Sequence, residues 1–133
     1  MAAELPFDAR RLAALFDIER RARGAADGTD LRFVAVNETR NVVAYDHAAL
    51  LEPTATGLAV TAISDVPAVD RGTPWVQWLE RVAGAVSPAD EVLAPDPAAL
   101  PDWERTNWRE LGPPAGLFIP LAPPGREPLA WLW

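Results

Sequence analysis

The chain has 133 residues, half of them hydrophobic and 23% charged, which fits one globular domain with a real core. Its formal charge of −7 argues against non-specific binding to nucleic acid or to an anionic membrane. The absence of Cys excludes disulfides, thiol catalysis and thiolate metal sites, and with a single His no metal or other cofactor is expected.

No apolar run reaches the roughly 18 residues of a membrane helix, and the N-terminus lacks the charged and apolar regions of a secretory signal. A soluble, cytoplasmic chain is the expectation. Pro6 to Arg23 reads as the first helix. Leu12, Leu15, Phe16 and Glu19 recur at helical spacing, basic residues fill the last turn, and Gly24 follows it. Such an amphipathic helix can also pair with its copy in a homodimer.

Leu31 to Val36 and Val42 to Tyr45 are two nearly continuous apolar runs around the polar stretch Asn37–Asn41. They predict a β-hairpin of central strands, the core of the domain. Leu58 to Ser64 reads as a further strand. Thr73 and Pro74 read as the N-cap and first residue of a second helix, Pro74 to Val86. Its apolar face is Trp75, Trp78, Leu79, Val82, Ala83 and Val86.

The stretch from Ser87 to Pro114 is proline-rich and irregular. Gly116 to Leu121 and Leu129 to Trp133 predict a closing hairpin, with Pro120 confined to an edge, a bulge or a strand end. A bare apolar strand such as Leu129–Trp133 must be tucked inside the sheet or be followed by more chain, and continuation is the stronger expectation.

This order, helix, hairpin, strand, helix, irregular connection and hairpin, resembles the GAF/PAS-like fold. That fold is α+β, an antiparallel sheet, here of five to six strands, with helices packed on it. The residues Phe33 to Thr39, Tyr45 to Leu50, Ser64 to Val69 and Pro74 to Leu79 resemble the GAF-like N-terminal cytoplasmic domain of bacterial HlyD-type membrane-fusion (adaptor) proteins. The resemblance implies a single domain over residues 1–133 of a longer, membrane-tethered protein, with the membrane reached only through a segment outside this chain. It implies a non-enzymatic regulatory, ligand-sensing or protein-interaction module. The Cys of bilin-binding GAF domains and the signature of cyclic-nucleotide-binding ones are both missing, so no ligand is inherited.

Chemistry is sparse. Asp46 and His47 are adjacent, and strand neighbours point to opposite faces, so they would not pair as orienter and base. The alternative function, a small enzyme using a carboxylate base, draws only on abundant Asp and Glu. The resemblance puts a binding cleft beneath the segment from Pro101 to Pro114. Its candidate residues are Trp103, Arg105, Trp108 and Arg109, and Arg with Trp is the pairing enriched at binding hot spots. A protein partner, the chain itself or a small molecule are the ligands considered. The plainer reading, in which both Trp plug the segment onto the core, weighs slightly more.

Overall fold

The computed structural model describes residues 9–86, 88–102, 108–110, 116–123 and 125–133. The order is α1 (Ala9–Arg23), α2 (Gly28–Asn37), a 3-10 turn (Glu38–Asn41), β1 (Ala49–Thr54), β2 (Gly57–Ile63), α3 (Pro74–Val86), a second 3-10 turn (Pro97–Ala99), β3 (Ile119–Leu121) and β4 (Ala130–Leu132). The class is α+β. Among the described residues the sheet has four strands, all antiparallel, in the order β2-β1-β4-β3.

The hairpin expected over residues 31–45 does not form, and this corrects the reading of the core. Residues 31–36 lie in α2, and 42–45 are irregular. The cause is a start signal and a two-sided burial. The Asp27 side chain accepts a bond from the Asp30 N–H at 2.9 Å, which caps the helix. Val36 is buried against the sheet with Ala48, Leu50 and Ala130, while Val34 is buried beside Arg21 and Gly24 of the α1 end. Val34 and Val36 are buried on opposite sides of the helix while Leu31 and Phe33 of the same run are exposed, so the run is nearly continuous and carries no helical period, which is also what a buried strand gives. The polar residues that read as a turn extend the helix instead. Asn37 Nδ2 donates to the Phe33 carbonyl, and the Thr39 hydroxyl donates to the Ala35 carbonyl at 2.8 Å.

The first hairpin is therefore β1–β2, closed by the two residues Ala55 and Thr56. Gly57 has φ 133°, a conformation that glycine adopts freely. The Thr54 hydroxyl donates to the Gly57 carbonyl at 2.7 Å and fixes the turn. Thr61 is an extra residue opposite the Leu50–Leu51 step, a bulge in β2.

Alternation along the strands splits the sheet into two faces. Ala49, Leu51, Val60, Phe118 and Trp133 pack with Val76, Trp78, Leu79, Val82 and Ala83 of α3. Leu50, Ala130 and Leu132 pack with Val36 of α2 on the other side. The helix expected over Pro74 to Val86 is α3, which starts and ends at those residues. The Thr73 carbonyl accepts from the Gln77 N–H, while its hydroxyl turns back to donate to the Asp70 carbonyl.

The apolar end strand is placed inside the sheet. β4 lies between β1 and β3, and Trp133 exchanges two backbone bonds with Ala49, at 2.8 and 3.1 Å. Pro120 sits on β3, an edge strand, where its missing N–H removes no interior ladder bond. Leu93 and Phe118 exchange two backbone bonds just before β3, so the edge is partly covered there. The first helix is a second correction: α1 does not pack on the sheet. It lies on α2 and the first 3-10 turn, and none of its residues is buried.

Candidate functional site

Of the four candidate residues in the 101–114 segment, Trp103 and Arg105 lie outside the described residues. Trp108 is 7% exposed and belongs to the core on the α3 face. Its ring meets Trp78 edge-on at 5.2 Å and Trp133 edge-on at 5.9 Å, and Trp133 in turn stands 4.6 Å from Phe118. Edge-to-face packing of this kind suits the ring quadrupoles and holds Trp108 in the core. Arg109 is exposed. Trp108 and Arg109 thus do not converge on one surface. Trp78, fully buried beneath this cluster, has an indole N–H with no acceptor among the described residues.

Polar chemistry gathers elsewhere, where the first 3-10 turn meets the end of β2. Arg40 reaches Asp65 with both terminal nitrogens, at 3.2 and 2.9 Å, and also donates to the Asp46 carbonyl. Its guanidinium carbon lies 5.1 Å from the centre of the Tyr45 ring. The Tyr45 hydroxyl donates to the Val36 carbonyl at 2.7 Å and lies 2.8 Å from the Thr39 hydroxyl. Asp65 has φ 63°, rare for a residue with a Cβ, though Asp is among the side chains that tolerate it. The Asn37 side-chain oxygen holds it there by accepting the Asp65 N–H at 2.9 Å. The bond from Arg40 holds the Asp65 carboxyl below the usual carboxylate range, against a smaller desolvation effect; nearby His47 adds least.

His47 lies in a loop, where the strand-neighbour argument does not apply, with its ring 6.5 Å from that of Trp75. Ser64 is 2% exposed, and its hydroxyl accepts the Ala48 N–H at 2.9 Å. A hydroxyl engaged in that way ties the hairpin ends together and is not presented as a nucleophile. Every polar contact in this cluster joins two chain segments.

The second sort of candidate surface is apolar. On α1, Leu12, Leu15 and Phe16 are exposed, Phe16 at 61%, and Phe33 of α2 is exposed at 57%. Helical spacing flags the first three as a stripe, but nothing in it says whether the stripe faces the core or solvent. The Arg40–Asp65 joint has no sequence signal beyond turn-forming residues, because its members are 25 positions apart. Among the described residues no group of His, Asp or Glu side chains has metal-binding geometry, and no helix is long and apolar enough to cross a membrane. No known protein family matches the chain, and no curated protein matches it.

Proposed function

We propose that this chain is a non-enzymatic regulatory and docking module, GAF/PAS-like in fold and similar to the N-terminal cytoplasmic domain of HlyD-type membrane-fusion proteins. The observation that carries the docking role is the outer layer of the molecule. There Leu12, Leu15 and Phe16 stand in solvent on a helix none of whose residues is fully buried. An apolar stripe facing outward on a charged helix is the usual mark of an interaction surface. The carboxylate-base alternative has less to draw on. Asp17, Glu52 and Asp65 each accept from an arginine, which holds their carboxyls below the ordinary range and leaves a poor base.

The test is the double substitution Leu12→Ser with Phe16→Ser. These side chains are exposed, so the melting temperature is expected to stay within about 2 °C of the unmodified chain. Association, read by sedimentation velocity and by vesicle flotation, is expected to be lost. A chain that associates with neither itself nor vesicles before substitution would sink the docking role, and so would a double variant that fails to fold.

A further inference from the structure

The charge on α1 is unlike the charge on the rest of the molecule. Five arginines against Asp17 and Glu19 give it a net of +3, in a chain of formal charge −7, which leaves −10 on everything else. The overall balance, which argues against an anionic membrane, averages over two dissimilar parts. The side of α1 carrying Ala14, Ile18 and Ala22 is half-buried. On the outer side Phe16 forms the crest, with Leu12 one turn before it and Leu15 beside it. Arg20 and Arg23 follow one and two turns later, each with 80% side-chain exposure.

We infer that α1 lies flat on an anionic lipid surface. This rests on the docking role proposed above for the same face and names what that face meets. Phe16, Leu12 and Leu15 enter the boundary between headgroups and acyl chains, and the arginines meet lipid phosphates. Arg21 is turned inward to Glu38 of the first 3-10 turn, while Arg20 and Arg23 pair with Asp17 and Glu19, but exposed pairs of this kind are weak, so phosphates compete with them. Two arguments favour lipid over a protein partner. A helix of 15 residues is about 22 Å long and offers a crest of three apolar side chains, far short of the ~800 Å² per partner of a stable protein interface. A lipid surface needs no matching shape. A second copy, moreover, would set +3 against +3. The acidic body is repelled by the same lipid surface, which orients the domain with α1 towards it.

The test is flotation of the whole chain with vesicles of phosphatidylcholine alone and of phosphatidylcholine with about 30% phosphatidylserine. Binding is expected only with the anionic lipid, and it weakens from about 50 to about 500 mM salt as screening shortens. Phe16→Ser should weaken it about tenfold through lost apolar burial. Leu129→Ser, at an exposed leucine between β3 and β4, should change nothing. Equal binding to both vesicle types, no binding to either, or an equal loss in Leu129→Ser would overturn the inference. If vesicles never bind but Phe16→Ser abolishes self-association, the lipid falls and the docking role stands.

Discussion

Replacing Trp108 by Ala separates a core plug from a binding element. The indole is 7% exposed and touches the rings of Trp78 and Trp133, so truncation opens a large hole lined by two immobile aromatics. Those rings are themselves held, Trp133 by Phe118 and by its backbone bonds to Ala49, so the site collapses poorly. Core Trp to Ala changes cost about 3–5 kcal/mol, and poor collapse favours the upper end. At about 2.1 cal/mol/K per residue the unfolding entropy of a chain of 133 residues is ~0.28 kcal/mol/K, so Tm should drop by about 11–18 °C. Thermal unfolding followed by far-UV circular dichroism measures this. Arg109→Ala, at an exposed position, should leave Tm within about 2 °C. A Trp108→Ala chain that melts with the parent while losing an association would refute the core assignment and return the segment to recognition.

Gly116→Ala should destabilise by about 1–3 kcal/mol, because the added Cβ would come within 2.4 Å of the Trp133 ring, which is packed on Phe118. An unchanged denaturant midpoint would show that Trp133 has room to move. Acidification probes the Arg32–Glu52 bond at 2.8 Å, which holds the Glu52 carboxyl below its ordinary range. A depressed folded-state value stabilises fully above the unfolded pKa of about 4.3 and is lost as pH falls through the folded value. Glu52→Gln should therefore lose less Tm than the parent between about pH 6 and pH 3.5, and an equal loss in both would count against the pair.

The second half of the fold was legible because its signals agree with one another. Thr73 and Pro74 open α3, an apolar period of 3.6 carries it to Val86, and glycine and proline punctuate the strands that follow. The first half was not, because a helix buried on both sides loses its amphipathic period. Val34 and Val36 look the same whether they line a central strand or a helix between two layers, and Phe33, exposed on α2, extends the apolar run. The signal that decides the matter is Asp27 with Asp30, a cap four residues before the apolar run rather than beside it. Chain length also hid the strand count. β3 and β4 are three residues each, and the chain around Leu93 contributes one bridge to the sheet rather than a strand.

The site shows a deeper limit. Trp103, Arg105, Trp108 and Arg109 were singled out by residue type, and type does not report direction. Trp108 turns into the core while its neighbour Arg109 faces solvent. The Arg40–Asp65 joint was invisible for the opposite reason, since its residues look like ordinary turn formers until the fold brings positions 37 and 65 together. That joint also explains why α2 can be helical. Asn37 spends its side chain on the Asp65 backbone, Thr39 and Tyr45 satisfy the last carbonyls of the helix, and Arg40 clamps the 3-10 turn to the end of β2. With those groups fixed inward, Asn37, Thr39, Arg40 and Tyr45 are committed to joining α2 to the sheet. Among the side chains that face solvent are the apolar ones on α1, where helical spacing had set Leu12, Leu15 and Phe16 together without saying which way they face.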